Sequence, residues 1–249
     1  MFFNRLMPAV LATALVTAPV TALDLSNMSQ EERDLFGEQV RAYLLENPQV
    51  IMEAVRALEE REAEAQAAAD LDLVERHAQA IFEDGFSYVG GNPDGDITLV
   101  EFMDYRCGFC KRSFSEVEKL LASDGNIRFV VKEFPILGEQ SLLASRFAIA
   151  TKMTAGDEAY KSLHDALMVY NGDLTVVSLK RLASTLELDA DAIEAQMDDP
   201  VITEQLQATR ALAQQLQING TPTFVLADEM LRGYVPFDQL EIIVDEKRS

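Results

Sequence analysis

The only two cysteines of this 249-residue chain, Cys107 and Cys110, are separated by two residues. Two thiols at this spacing could form a permanent structural disulfide, hold a metal ion or act as a redox centre. So short a loop removes little entropy from the unfolded chain, which disfavours a purely structural disulfide. Zinc would need two more ligands, and His77 and His164 lack the paired spacing of a zinc motif. We therefore predict a redox centre with no resident metal or cofactor, with copper(I) binding by the two cysteines and Met103 as an alternative secondary role.

The position of the pair, between a predicted strand and a predicted helix, favours a thiolate at Cys107. Unpaired backbone N–H groups and the positive end of the helix dipole stabilise an anion at that point. Cys110 follows one helical turn later, where it can attack a mixed disulfide formed at Cys107. Gly108 permits a close approach of backbone to sulfur, and Phe109 offers an apolar face to a client. The spacing therefore predicts a disulfide that opens and closes readily.

Glu101 is an acidic residue on a predicted strand that is otherwise apolar. If it lies buried beneath the sulfurs, its pKa is raised and it can take or give the proton of Cys110. Two alternatives are a strand-end position where the carboxylate meets water, and an ion pair with Lys132 on the neighbouring strand. The sequence leaves these three interpretations open.

A Thr221-Pro222 dipeptide opens another predicted strand, far along the chain from the cysteines. A proline at this point cannot donate a hydrogen bond to the sheet. If its peptide bond is cis, the Thr221 backbone can present itself to an extended client strand. In combination with the cysteine pair, the dipeptide predicts a client-binding position.

The first 22 residues have the features of a cleavable targeting segment. Arg5 supplies a positive charge, residues 6–20 are mostly apolar, and small residues precede a cleavage point after Ala22. The apolar run is shorter than the ~20 residues that span a bilayer, which disfavours the alternative of a retained anchor. We expect a protein exported to the periplasm, without stable membrane insertion.

Acidic residues outnumber basic ones by 42 to 21, for a formal net charge of −21. Nucleic acids and anionic lipids both need neutralising cations, so the charge argues against them as partners. It is compatible with a highly soluble protein that meets basic or unfolded protein clients.

Residues 23–84 are predicted to form a helical extension. Ser29 with Glu32 is typical of a capping box, and Asn47-Pro48 predicts a second helix start. The apolar stripe of the long second helix weakens in its middle, which is typical of a spacer or coiled-coil segment. We predict that this extension mediates self-association.

Residues 85–249 follow a different pattern. Turn-forming residues at 90–95 precede a predicted strand at 97–102, the cysteine-bearing helix and a strand at 127–134. A block of helices over about 138–217, two short strands and a final helix complete the order. This arrangement predicts an α/β protein with a thioredoxin-like fold that carries an all-helical insertion.

The stretches "VEFMDYRCGFCKRSF" and "NGTPTFVL" resemble the DsbA family of exported thiol–disulfide oxidoreductases. The stretch "YLLENPQVIMEAVRALEERE" resembles the N-terminal extension of the ScsC-like and Com1-like members. The resemblance implies that Cys107 is the nucleophile, Cys110 the resolving thiol and Glu101 a buried acid. It also implies a cis Pro222 beside the sulfurs with Thr221 before it, cysteine-containing clients, and a partner protein that recharges the centre.

The dipeptide between the cysteines departs from the strongly oxidising members of that family, which have Pro-His. Gly108-Phe109 supplies neither a donor nor a positive charge to stabilise the thiolate, and flanking Arg106 and Lys111 compensate only in part. Thr221 is also associated with isomerase and reductase members of the resembling families. We therefore expect isomerase or reductase activity, with a disulfide-forming oxidase or a copper-binding or chaperone module as alternatives.

Overall fold

The computed structural model describes residues 27–249, and the chain divides between Glu59 and Glu60 into two compact units. The predicted targeting segment, residues 1–22, lies outside the described residues. Among the helices of residues 27–249, none has the length and apolar character needed to cross a membrane.

The first unit contains α1 (Gln30–Glu46) and the start of α2 (Gln49–Phe82). The predicted capping box is present, with the Ser29 and Glu32 side chains each accepting a hydrogen bond from the other residue's backbone N–H. Asn47 does not begin the second helix as predicted. It ends α1 instead, because its backbone and side-chain N–H groups both donate to the carbonyl of Tyr43.

The second unit is built on a five-stranded sheet in the order β1-β3-β2-β4-β5. The strands are β1 (Tyr88–Gly91), β2 (Ile97–Met103), β3 (Ile127–Glu133), β4 (Thr223–Leu226) and β5 (Glu229–Arg232). β2 and β3 are parallel, and the other three pairings are antiparallel. The central strands are almost wholly buried, in keeping with their apolar and β-branched composition.

Strand β1 lies where only turns were predicted. Its glycines were interpreted as turn residues, but Gly91 is needed at this edge of the sheet because the neighbouring strand approaches closely. Gly91 has a φ of +64°, and a Cβ atom there would lie 2.3 Å from the Ile127 carbonyl oxygen.

Besides the rest of α2, this unit contains six helices. They are α3 (Gly108–Asp124), α4 (Glu139–Val169), α5 (Val176–Thr185), α6 (Ala190–Gln196), α7 (Pro200–Gln215) and α8 (Phe237–Arg248). The predicted break at Gly156 interrupts α4, where φ is 85° and ψ is −175°. Helices α4 to α7 form the insertion between β3 and β4, so the predicted thioredoxin-like fold with a helical insertion and a helical N-terminal extension is confirmed.

Candidate functional site

The two cysteines lie where β2 gives way to α3, at the N-terminus of that helix. Cys107 is the N-cap residue, and its Sγ accepts a hydrogen bond of 3.3 Å from the backbone N–H of Cys110. Both thiols are free; Cys107 is 7% exposed and Cys110 is fully buried. The helix therefore presents one sulfur near the surface and holds the other inside the core.

The two thiols have opposite tendencies to ionise. A hydrogen bond from the Cys110 thiol lowers the pKa of Cys107 to about 6, with further help from Thr221 and the backbone N–H groups of Cys110 and Phe109, although burial opposes it. Burial raises the pKa of Cys110, and the hydrogen bond to Cys107 and the charge of Glu101 raise it further. At neutral pH, Cys107 is therefore the thiolate, and Cys110 remains a protonated thiol.

The Thr221–Pro222 peptide bond is cis and lies against the Cys107 sulfur. The carbonyl oxygen of Thr221 is 3.1 Å from the Sγ of Cys107, where it can accept a hydrogen bond from the thiol. When Cys107 is ionised, its sulfur has no proton to donate to that carbonyl. A side-chain hydrogen bond from Thr221 then contributes to lowering the pKa of Cys107. The carbonyl of Pro222 accepts a 2.9 Å hydrogen bond from Gly233, which fixes this loop next to β5.

Glu101 is buried on β2, with 2% of its surface exposed. Its Oε1 atom has no hydrogen-bond partner among the described residues. Burial raises the pKa of Glu101 to about 8, and the charge of Cys107 adds to this rise. The solvent-facing alternative is therefore wrong. The Lys132 alternative is wrong as well, since the Lys132 ammonium group pairs with Asp84 at 2.5 Å.

The residues around the cysteines differ in what they offer to a client. Phe109 is 60% exposed and leaves an apolar ring at the surface, two positions after Cys107. Lys111 does not reach the sulfurs, because its ammonium group donates to the carbonyl of Tyr170. Arg106 is exposed, and both cations line a polar groove of about 500 Å³ that also includes Gly108.

The histidines weighed as zinc ligands are not brought together with the sulfurs. The Nδ1 atom of His164 lies 3.1 Å from the Tyr105 hydroxyl, inside the core, and His77 lies on α2. Within residues 27–249, no group of three or more His, Cys, Asp or Glu side chains is arranged to hold a metal ion.

Asp104 is a structural part of the site that the sequence reasoning did not single out. Its fully buried carboxylate accepts hydrogen bonds from the backbone N–H groups of Arg106, Ile136 and Leu137, at 2.8 to 3.0 Å. It therefore ties the cysteine loop to the segment after β3. An aspartate directly after a buried strand was the available signal, since such residues commonly bind nearby backbone N–H groups.

Comparison with known proteins gives two family matches. Residues 98–244 match the family described as the DSBA-like thioredoxin domain. Residues 32–65 match the N-terminal domain of the copper resistance protein ScsC. The first match contains both cysteines, Glu101 and the Thr221–Pro222 bond, and the second lies in the helical extension.

Solved structures show the same similarity at the level of the fold. A thioredoxin-like oxidoreductase from Silicibacter pomeroyi is 39% identical, with a TM-score of 0.65, over 68% of this chain and 96% of that one. ScsC from Proteus mirabilis in a compact conformation is 30% identical, with a TM-score of 0.63, over 89% of this chain and 98% of that one.

One curated relative is the Na⁺/H⁺ antiporter NhaA 3 of Salinispora tropica. It is 26% identical over 157 residues, which are 63% of this chain and 24% of the antiporter. The chain thus spans about a quarter of the length of this curated relative.

Proposed function

The chain belongs to the family of DSBA-like thioredoxin domains, and from this premise we propose that it is a thiol–disulfide oxidoreductase that exchanges disulfides in client proteins. The observation that carries the proposal is the asymmetry of the two thiols. Cys107 has a pKa of about 6, whereas the pKa of its buried neighbour Cys110 is raised. A thiolate at neutral pH beside a protonated second thiol is the arrangement that exchange requires.

The proposed reaction begins when the Cys107 thiolate attacks one sulfur of a client disulfide. An S–S bond forms to Cys107, and the client's own S–S bond breaks to release a client thiolate. The ionised form of Glu101 then takes the proton of Cys110, whose sulfur attacks the Cys107 sulfur and releases the second client thiolate. Two electrons pass to the client and the centre becomes a disulfide; oxidation of a client runs through the same steps in reverse.

We propose that the centre works mainly as an isomerase or reductase. The thiolate of a strong oxidant of this kind has a pKa of about 3.5, whereas that of thioredoxin is about 7. The value of about 6 for Cys107 lies nearer to the second. Gly108 and Phe109 supply no side-chain donor to the sulfur, so its stabilisation comes from Cys110, Thr221 and backbone N–H groups.

Periplasmic location and self-association complete the proposal. We place the targeting segment at residues 1–22, the extension at 23–84 and the catalytic domain at 85–249. None of the residues of α1 is buried. Large apolar side chains are exposed along α1 and the first part of α2, namely Leu35, Phe36, Val40, Tyr43, Leu45, Ile51, Met52, Val55 and Leu58. Such an apolar surface favours contact between copies of the chain.

The assay for the proposed activity is reactivation of a protein with scrambled disulfides in a glutathione buffer that contains a chelator. Turnover by the wild-type protein and its loss in Cys107→Ser are expected. Exchange that survives in Cys107→Ser would refute the mechanism. The reduction potential decides the direction, since a value near that of thioredoxin, about −270 mV, excludes the oxidase alternative.

The native mass tests the proposed assembly. Full-length mature protein should form an oligomer, and a variant with Leu35 and Phe36 changed to Ser should shift toward the monomer. A monomeric wild-type protein would contradict self-association through the extension. The client proteins and the partner that recharges the centre can then be trapped as mixed disulfides with Cys110→Ala, because that variant lacks the resolving thiol.

A second candidate function is copper handling. It is favoured by the match of residues 32–65 to the N-terminal domain of a copper resistance protein and by the two soft sulfur ligands at Cys107 and Cys110. Stoichiometric uptake of copper(I) without turnover of a disulfide substrate would favour this function over disulfide exchange.

A further inference from the structure

A buried carboxylate outside the reactive pair, Glu133, lies at the end of β3 and is 6% exposed. Its Oε1 atom accepts hydrogen bonds from the hydroxyl groups of Tyr105, at 2.8 Å, and Tyr160, at 2.6 Å. Its Oε2 atom accepts one from Ser145 at 2.7 Å. Burial raises the pKa of Glu133 to about 7, although these three donors oppose the rise. The exchange reaction does not use this group.

The three donors come from separate parts of the fold. Tyr105 belongs to the loop between β2 and α3, whereas Ser145 and Tyr160 lie on α4, on opposite sides of its break at Gly156. Glu133 thus joins the cysteine loop to both halves of the inserted helix. A buried carboxylate is stabilised when several donors satisfy it, and it then holds those donors in one arrangement.

Tyr105 lies within the turn that delivers Cys107 to the helix N-terminus. The backbone N–H of Cys107 donates to the carbonyl of Asp104 at 3.0 Å and closes this turn around Tyr105 and Arg106. The Tyr105 side chain is fully buried, so its hydroxyl bond to Glu133 fixes the turn from within the core. The Sγ of Cys107 depends on that position to meet the N–H of Cys110 at 3.3 Å.

We propose that Glu133 and Tyr105 are positioning residues that hold the Cys107 turn against the N-terminus of α3. They act through the backbone and do not touch the reacting sulfurs. The proposal rests on the proposed function only in treating Cys107 as the reactive thiol. Ionisation of Cys107 can be measured without any client, so failure of the positioning role and failure of the exchange function are distinguishable.

The test compares Tyr105→Phe with Tyr160→Phe in the full-length mature protein. Each variant removes one hydroxyl donor from the same Oε1 atom of Glu133, but only the first removes it from the cysteine turn. We expect Tyr105→Phe to raise the pKa of Cys107, with a roughly threefold lower ratio of thiolate to thiol, a change of the size that one hydrogen bond produces. Tyr160→Phe should leave that ratio unchanged. It should destabilise the fold instead, with a roughly threefold change in the equilibrium constant of unfolding.

Thiolate absorbance against pH is the measurement for both variants. An equal shift in both, or no shift in a folded Tyr105→Phe, would overturn the proposal. If Tyr105→Phe does not fold, Glu133→Gln provides the second measurement through amide hydrogen exchange at Cys107, whose N–H closes the turn. Faster exchange at that amide than in the wild type is expected, and unchanged protection would overturn the proposal.

Discussion

Replacement of Glu101 by Gln should stabilise the reduced protein by an amount that grows with pH. The pKa of Glu101 is about 8 in the folded protein, against 4.5 ordinarily. Ionisation is therefore harder in the folded state than in the unfolded state. The resulting loss of stability is absent below about pH 4.5, increases as the pH rises, and is complete above about pH 8.

The size of the effect follows from the two pKa values. At pH 7 the carboxyl is ionised in the unfolded protein but mostly protonated in the folded one. This pH lies about 2.5 units above the ordinary pKa of 4.5, and stability is lost across those units. At 1.36 kcal/mol for each unit, wild-type Glu101 costs about 3 kcal/mol at pH 7 relative to pH 4. The amide of Gln does not titrate, so any packing cost of Glu101→Gln is the same at every pH. The pH-dependent part of the difference belongs to the carboxyl alone.

Urea-induced unfolding of the dithiol forms at about pH 4, 7 and 9 measures this difference. The chain has no tryptophan, so the near-ultraviolet circular dichroism of its buried tyrosines is the suitable signal. Glu241→Gln, at an exposed position on α8, is the matched control and should show no such trend. In the disulfide form the trend should be smaller, because the Cys107 charge that contributes to the rise is absent. A gain that is constant or falls with pH would refute the reasoning.

Further predictions concern the sulfurs and a second buried ion. Cys110→Ala should raise the Cys107 pKa from about 6 toward its ordinary value of 9.0, because the largest contribution to lowering it is lost; an unchanged thiolate titration would contradict this. As the pH rises, the midpoint potential of the cysteine pair should fall by about 59 mV per pH unit below pH 6 and by about 30 mV per pH unit above pH 6. The slope changes because the reduced form binds one proton fewer once Cys107 is ionised. A single slope across this range in redox titrations would count against the low pKa of Cys107. Asp84→Asn leaves the fully buried Lys132 ammonium without its counter-charge, so unfolding in urea should show a loss of about 3 kcal/mol, and a loss below about 1 kcal/mol would exclude this role.

Much of the site was predictable because its residues lie close together in the sequence. A buried strand, two thiols and an amphipathic helix follow one another between Ile97 and Asp124, and the helix stripe predicts which face is buried. The remote Thr221–Pro222 pair was found through the chemistry of proline at a strand start. Its contact with Cys107 spans 114 positions in the sequence, and that contact was implied by the family resemblance rather than by the local pattern.

Features that depend on distant partners were not predictable. Lys132 binds Asp84, 48 positions away, and no local pattern distinguishes that partner from Glu101. The edge strand β1 is short and rich in glycine, so its composition predicted turns. Its pairing with β3 is visible only in the folded chain. In the sequence, Glu133 is typical of a polar residue at the end of a strand. Only the folded chain brings Tyr105 and Tyr160 to it.

The two buried carboxylates of the sheet differ in their hydrogen bonds, and from this difference we expect a chemical role for Glu101 and a structural role for Glu133. Met103 is paired in register with Glu133 and lies two positions after Glu101, so both acids face the same side of the sheet. Glu133 is satisfied by three hydroxyl donors, and these hydrogen bonds favour its ionised form. Glu101 keeps an unpaired Oε1, so it can gain or lose a proton without breaking a hydrogen bond at that atom. We therefore expect substitutions of Glu133 to alter the geometry around Cys107, and those of Glu101 to slow proton transfer from Cys110, on the order of 10²-fold.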